Sequence, residues 1–172
     1  RLFNTQPLLN AVATEYLVKQ QIENARIVHF ATHGLLEYGQ PMASGIRDVP
    51  GAIALVPGQG EDGLLTSEEI STFNLRTDLV VLSACDTGRG ELTGDGVIGL
   101  SRSFIAAGAP SVIVSLWSIP DAPTAGLMTE FYRQLQQGQD KAQALRQAML
   151  ETMKTHPNPR DWAAFTLIGE AN

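Results

Sequence analysis

Cys85 is the only cysteine in the chain of 172 residues, and it follows a short apolar run. Residues 79–82 read LVVL, and Ser83 and Ala84 lead from that run to the cysteine. A thiolate at the end of a strand beside a proton acceptor can attack a carbonyl carbon, whereas a thiol packed into an apolar interior is inert. The pattern therefore leaves two interpretations open, a nucleophile or a buried filler of the core.

His33 is the residue that could serve such a cysteine as its proton acceptor. It follows the apolar run RIVHFAT at 26–32 and precedes Gly34. Sites in open α/β sheets lie beyond the carboxyl ends of parallel strands. If the strands before His33 and Cys85 are neighbours, both side chains leave the sheet at the same edge. The pattern by itself does not establish that adjacency, and a capping or loop role for His33 stays open.

Composition and charge limit the classes of protein to which the chain can belong. The net charge is −6, from 18 acidic and 12 basic residues, so we expect no direct contact with nucleic acid, which needs a basic surface. A single cysteine forms no disulfide within the chain, which suits a reducing compartment. No apolar run approaches the roughly 20 residues of a membrane-spanning helix, and no signal peptide is visible. These features predict a cytoplasmic protein that binds no membrane.

Short β-rich runs alternate with helical periods along the chain, which is typical of an α/β domain with a mainly parallel sheet. We predict a single domain over residues 1–172. The predicted strands cover 26–32, 51–57, 78–84, 111–117 and 162–169. The predicted helices cover 7–22, about two turns from 66 onward, 95–107, 123–137 and 140–154. Glycines and prolines without a period predict an irregular loop over 35–50.

The helix predicted at 95–107 has a defined apolar face and a defined end. Its apolar side chains recur at helical spacing, and a glycine is placed to end it as a C-cap. The residues concerned are Val97, Leu100, Phe104 and Ile105 on the face and Gly108 at the end.

Other polar motifs do not predict a metal or nucleotide site. His29 faces the same side of its strand as His33, and we expect a buried, hydrogen-bonded imidazole, because no cysteine or carboxylate has the spacing of a metal ligand. The segment GRGELTGDG at 88–96 suggests a phosphate-binding loop. It lacks both the Gly-Lys-Ser/Thr ending and the G-x-G-x-x-G fingerprint. A nucleotide-binding domain therefore fits the α/β alternation but has no motif to support it.

Four blocks of sequence, in order, resemble the CHAT domain, a caspase-like peptidase domain typically found after tetratricopeptide repeats in bacterial proteins. The blocks are HFATHG at 29–34, LVVLSACDTG at 79–88, GDGVIGLSRSFIAAGAPSVIVSLWSIPD at 94–121 and WAAFTLIG at 162–169. The resemblance implies a caspase-like, three-layer α/β/α sandwich with a mainly parallel central sheet. CHAT domains usually carry a further strand and helix ahead of the region that corresponds to residue 7. We therefore expect a fragment that lacks them, with an unpaired sheet edge.

The resemblance also implies a catalytic pair. The histidine of the family falls on His33 and its nucleophile on Cys85. The backbone N–H groups of Gly34 and Cys85 correspond to the donors that stabilise the oxyanion in caspase-like enzymes. Glycine suits that position because it has no side chain to screen its N–H from a substrate.

Substrate contacts are expected on both sides of this pair. Ser83 is small enough to let a peptide approach the thiol. Trp117 is placed to form a wall of the pocket for the P1 side chain, and Asp121 to lie at its base, as acids do in relatives that cleave after basic residues. An N-cap role for Asp121 in the following helix, with Pro123 in the first turn, is the alternative.

These features together lead to the hypothesis of a cysteine endopeptidase that acts on protein or peptide substrates. Its Cys–His pair needs no metal and no organic cofactor. The resemblance implies control by a linked tetratricopeptide-repeat region or by a partner. The alternative is a caspase-like interaction module without catalytic activity, in which Cys85 is inert.

Overall fold

The computed structural model describes most of the chain. For residues 34–38, 49–50 and 94–98 it describes the backbone only. The described residues are 3, 5–32, 34–38, 49–83, 94–117 and 119–172. Among their helices, none is both long enough and apolar enough to cross a membrane.

Seven strands and five α-helices form the described part of the chain. The strands are β1 (Ile27–Phe30), β2 (Gly34–Tyr38), β3 (Val49–Ala54), β4 (Leu64–Thr66), β5 (Leu79–Leu82), β6 (Ser111–Ser115) and β7 (Phe165–Gly169). The helices are α1 (Glu15–Gln21), α2 (Ser67–Ser71), α3 (Gly94–Ala106), α4 (Asp121–Gln136) and α5 (Lys141–Thr155). Short 3-10 turns lie at Asn10–Val12, Ile22–Asn24 and Pro159–Asp161.

The main sheet has four strands in the order β1-β5-β6-β7. β1 pairs in parallel with β5 and β5 with β6, whereas β7 runs antiparallel to β6. Every residue of β5 and of β6 is buried, as expected for central strands that are covered on both faces. The predicted α/β class with a mainly parallel sheet is confirmed.

Helices cover both faces of this sheet. Val80 and Leu82 of β5 point into one apolar core, which α3 closes with Leu100 and Phe104. The alternate residues of the same strand enter a second core, to which α4 contributes Phe131. Since successive side chains of a strand point to opposite faces, the all-apolar run of β5 supplies both cores. The result is the predicted three-layer α/β/α arrangement.

The prediction of an irregular loop over 35–50 is wrong at both ends of that segment. β2 occupies 34–38 and pairs antiparallel with β3, which begins at Val49, so only the middle of the segment lies outside the described residues. The prediction relied on the low strand propensity of glycine and proline, but cross-strand partners override such local preferences. β3 also pairs with β4 in a separate three-stranded sheet, so the strand predicted at 51–57 is not part of the main sheet.

The first predicted helix is shorter than expected. It begins at Glu15 rather than near residue 7, with Thr14 as its N-cap, whose side chain accepts a hydrogen bond from the backbone N–H of Leu17. The described residues before it contain only a short 3-10 turn at Asn10–Val12. The cap explains the difference, because a threonine with extended backbone angles satisfies a free N–H of the first turn and so marks a helix start.

The end of α3 matches the prediction, but one residue of its apolar face does not. Gly108 has a φ of 111°, and a β-carbon there would lie 2.8 Å from the carbonyl oxygen of Leu75. Leu100 and Phe104 are buried as predicted, whereas Ile105 is 39% exposed. Ile105 follows Phe104 by about 100° around the helix axis, which turns it away from the sheet. The side chain of Val97 lies outside the described residues.

Candidate functional site

The strands that lead to His33 and Cys85 are neighbours. β1 and β5 pair in parallel from Ile27↔Leu79 to Phe30↔Leu82. Along the chain, His33 follows Phe30 by the same number of residues as Cys85 follows Leu82. The adjacency of these strands, which the sequence pattern left open, is present in the structure. His33 and Cys85 themselves lie outside the described residues.

Both chain neighbours of His33 are attached to β3. Thr32 donates a hydrogen bond from Oγ1 to the carbonyl oxygen of Ala54 at 2.8 Å. Gly34, the residue predicted to donate to an oxyanion, pairs with Ile53 across the β2–β3 ladder. The small sheet therefore holds the chain on each side of His33.

Ser83, predicted to contact substrate, is buried and bonded to β1. Its backbone N–H donates to the carbonyl oxygen of Phe30 at 3.0 Å, and its Oγ lies 3.3 Å from the same oxygen. Oγ also lies 2.7 Å from Nε2 of His29. Ser83 is 8% exposed. These bonds connect the carboxyl ends of β1 and β5 just beyond their last ladder pair.

His29 links this serine to helix α4. Its Nδ1 lies 2.8 Å from the phenol oxygen of Tyr132, which is 8% exposed. The predicted hydrogen-bonded imidazole is confirmed, but its predicted burial is wrong, because β1 lies at the edge of the main sheet and leaves His29 exposed. In the sequence, Tyr132 stands among the apolar positions of the helix predicted at 123–137. A tyrosine on a buried helix face is the signal that could have indicated a polar partner.

Desolvation by the surrounding protein favours the uncharged forms of His29 and Tyr132. Surrounding protein atoms lower the pKa of His29 from its usual 6.5 to about 4, and burial raises the pKa of Tyr132 well above its usual value. Because His29 is exposed, water screens part of this effect. Both groups are neutral near pH 7, so the contacts between them are hydrogen bonds rather than ion pairs.

Trp117 and Asp121 follow β6, which lies beside β5. The indole N–H of Trp117 donates to the carbonyl oxygen of Arg160 at 2.9 Å, and its ring packs on the core beneath α4. Asp121 is exposed and is the first residue of α4. The N-cap is Pro120, which makes no side-chain hydrogen bond, so the alternative cap role of Asp121 is wrong by one residue. A carboxylate in a first turn still interacts favourably with the helix dipole.

The carboxylates of Glu15, Glu61 and Glu69 lie close together at the start of α1, of which Glu15 is the first residue. Their oxygens lie within 4.8 Å of each other. Nζ of Lys19 lies 2.6 Å from Glu15, 2.6 Å from Glu61 and 2.8 Å from Glu69. The ammonium group takes the central position that a metal ion would need. Despite some desolvation, these carboxylates raise the pKa of Lys19 above its usual value.

A groove of about 600 Å³ runs along the edge of β1. Among the described residues, this edge has no strand partner. The groove reaches from the extended chain at Leu8 and Leu9 to Ala31 and Thr32, just before His33. Its lining is largely apolar, and it lies beside the strand end that bears the candidate histidine.

Known proteins with this sequence pattern share the same domain. Residues 1–170 match the CHAT domain. Tetratricopeptide repeat protein 28 of Homo sapiens is 33% identical over 197 aligned residues, and its Mus musculus counterpart is 30% identical over 201. The alignments cover 98% of this chain but only 8% of each relative. Both relatives are mammalian, so they do not support the expected bacterial setting. With nearly its whole length matched, the chain belongs to the CHAT domain family, which has a caspase-like fold.

Proposed function

We propose that this CHAT domain is a cysteine endopeptidase in which Cys85 is the nucleophile and His33 moves the proton. The parallel pairing of Phe30 with Leu82 is the observation that carries the proposal. It brings the two strand ends that lead to these residues side by side, so imidazole and thiol can meet at one edge of the sheet. Attachment of both neighbours of His33 to β3 supports a defined position for the imidazole.

The proposed reaction has two steps and needs no metal or organic cofactor. The thiolate of Cys85 attacks the scissile carbonyl carbon, and a C–S bond forms as the oxygen becomes an oxyanion held by the N–H groups of Gly34 and Cys85. Collapse of that intermediate breaks the C–N bond, and the imidazolium of His33 protonates the leaving amine. Water, deprotonated by His33, then hydrolyses the thioester and restores the enzyme.

We assign substrate selection to the loop after β6. Trp117 is held by its bond to Arg160, and the exposed carboxylate of Asp121 follows it along the chain. Such a carboxylate favours a basic side chain at P1 through charge pairing. Ser83 is buried and bonded to His29, which favours support of the strand end over direct contact with substrate.

We propose that a linked repeat region controls this activity in a longer cytoplasmic protein. The relatives are named for tetratricopeptide repeats, and the region they share with this chain is a small part of each. Repeat proteins present extended concave surfaces to partners, so a partner bound there is the expected activating signal.

Hydrolysis of fluorogenic peptides tests the activity directly. Peptides with Arg, Lys, Asp, Leu or Met at P1 are compared, and cleavage after Arg and Lys is expected to be fastest. Cys85→Ala is expected to reduce kcat by roughly 10³-fold or more. Ser111→Ala, a buried serine at the opposite end of β6, is the matched control and retains activity.

Alkylation of Cys85 distinguishes the protease from an inert interaction module. Because the chain has no other cysteine, iodoacetamide reports on this thiol alone. An activated thiol reacts faster than a free cysteine and slows in the His33→Ala variant. A rate near that of a free cysteine, unchanged by His33→Ala, contradicts the proposal and favours the inert module.

A further inference from the structure

We propose that Tyr132, His29 and Ser83 form a positioning relay for the reaction at the β1–β5 edge. The relay is the continuous set of side-chain hydrogen bonds that runs from α4 through His29 to the end of β5. It rests on the proposed function, because its purpose is to hold the two strand ends from which His33 and Cys85 follow. None of the three contacts the scissile bond in this proposal, so each is a positioning residue.

The relay joins three elements that are distant in the sequence. Tyr132 lies on α4, His29 on β1, and Ser83 directly after β5. The phenol oxygen lies 2.8 Å from Nδ1, and Nε2 lies 2.7 Å from Oγ of the serine. Both ring nitrogens of His29 are thus engaged, which orients the ring about its two side-chain torsions.

One arrangement of protons satisfies every bond of the relay. In this arrangement Oγ of Ser83 donates to the carbonyl oxygen of Phe30 at 3.3 Å and accepts from Nε2–H of His29. Nδ1 then carries no proton and accepts from the phenol O–H of Tyr132. The lowered pKa of His29 is consistent with this neutral form. Hydrogen bonds aligned in one direction polarise and strengthen one another.

The relay reinforces a place where the backbone ladder stops. The last ladder pair of β1 and β5 is Phe30↔Leu82, and beyond it the Ser83 N–H bonds the Phe30 carbonyl. β1 has a strand partner on one side only among the described residues, so this end depends on side chains for restraint. A displacement of about 1 Å in a catalytic group can cost about 100-fold in rate.

The phenol is itself held by aromatic neighbours. Phe3 meets the ring of Tyr132 edge-on with centroids 5.1 Å apart, and Phe131 lies at 5.2 Å. These contacts involve the ring and not the hydroxyl. Replacement of Tyr132 by Phe should therefore keep the packing and remove only the hydrogen bond to His29.

Three variants test the relay, and each of its two single substitutions has a matched control. Tyr132→Phe and Ser83→Ala remove its two ends, and a double variant combines them. Tyr16→Phe on α1 repeats the first chemical change outside the relay, and Ser111→Ala repeats the second at the opposite end of the sheet. Thermal unfolding of each variant establishes that it is folded before its kinetics are compared.

Peptide hydrolysis and the alkylation of Cys85 are the kinetic readouts. We expect each relay variant to lower kcat roughly 10- to 100-fold with KM little changed, because position rather than binding is lost. The double variant should lose about as much as the worse single variant, since both act through His29. The two controls should stay within about twofold of the wild type.

The protonation state supplies a readout that a purely structural role would not move. In the wild type, ¹⁵N NMR of histidine is expected to show His29 as the neutral Nε2–H form near pH 7. In Tyr132→Phe, Nδ1 loses its donor and both neutral forms should appear. His29→Gln, which keeps an N–H donor, should retain more activity than His29→Phe, which has none.

The outcomes separate the relay from the proposed function. If the wild type cleaves peptides and both relay variants match the controls in kcat, the relay is wrong and the protease stands. If the wild type cleaves no peptide and the rate of Cys85 alkylation is unchanged by His33→Ala, the proposed protease function is wrong. In that case a Cys85 alkylation rate changed by Tyr132→Phe but not by Tyr16→Phe supports the relay as a strand-end restraint, and an unchanged rate overturns it.

Discussion

Thr32, the residue before His33, donates a hydrogen bond to the carbonyl oxygen of Ala54 at 2.8 Å. The bond joins the end of β1, in the main sheet, to the end of β3, in the small sheet. It therefore fixes the two sheets to each other beside the candidate histidine. Under the proposed function, Thr32 is therefore a positioning residue for His33.

Thr32→Val is expected to lower kcat roughly tenfold, because it keeps the shape of the side chain but removes the donor to Ala54. Thr32→Ser keeps the hydroxyl and should retain most of the activity. Steady-state hydrolysis of the best peptide measures both variants. Equal kcat values for them would mean that the hydrogen bond does not position His33.

Lys19→Met is expected to destabilise the fold by about 3–5 kcal/mol, because it leaves the buried Glu15 carboxylate without its counter-charge. Glu15 is 1% exposed and its other oxygen accepts from the N–H of Gly63, so it cannot turn to solvent. Urea unfolding measures the loss of free energy of unfolding. Adding Glu15→Gln to Lys19→Met should recover part of it.

Lys154→Met is the matched control for this prediction. Its partner Glu151 is on the same exposed helix surface, and such pairs are worth at most about 1 kcal/mol. A loss as large as that of Lys19→Met would show that the substitution itself, and not the Glu15 carboxylate, causes the effect.

The stability of the fold is expected to fall between about pH 6.5 and about pH 4 through His29. Its pKa is lowered to about 4 in the folded state, from the usual 6.5. Within that interval the unfolded chain binds a proton that the folded chain does not, so acidification favours unfolding. Above pH 6.5 both states are neutral at this residue and the contribution is constant.

Urea unfolding at several pH values measures this dependence. His29→Gln should unfold with a smaller loss of stability between pH 6.5 and pH 4 than the wild type. An identical pH dependence in the two proteins would contradict the lowered pKa of His29.

Gly108→Ala is expected to cost about 1–3 kcal/mol or more, because the new β-carbon would meet the Leu75 carbonyl oxygen at 2.8 Å. Its φ of 111° adds strain for any other residue. Gly126→Ala is the opposite case, since nothing lies within 4 Å of a β-carbon there on α4. That variant should gain up to about 1 kcal/mol. Thermal unfolding compares the pair, and equal effects would refute the argument.

Local sequence patterns were sufficient to predict the strands of the main sheet and most of the helices. The apolar runs of β5 and β6 are long and unbroken enough to indicate strands covered on both faces. The end of α3 was readable from Gly108, because a positive φ at a helix end has a specific residue preference. In contrast, β2 carries no comparable signal, since its stability comes from pairing with β3.

The sequence proposes candidate site residues but not the contacts that surround them. His33 and Cys85 stand out by type and by their place after apolar runs, and the resemblance to the CHAT domain adds Gly34. Tyr132 indicates only that some polar partner is needed, because its hydroxyl finds His29 only when α4 packs across the sheet. The contact joins residues far apart in the chain, and no local rule relates them.

Residue order alone determined the strands of the main sheet, the segments that carry a thiol or an imidazole, and the family that the chain resembles. Only the tertiary structure decided that β1 lies beside β5, that Phe30 opposes Leu82, and that β3 belongs to a second sheet. The physical reason is that strand pairing is a competition among all available edges. Its outcome depends on burial and hydrogen bonding summed over the whole fold, and not on the propensity of any one segment.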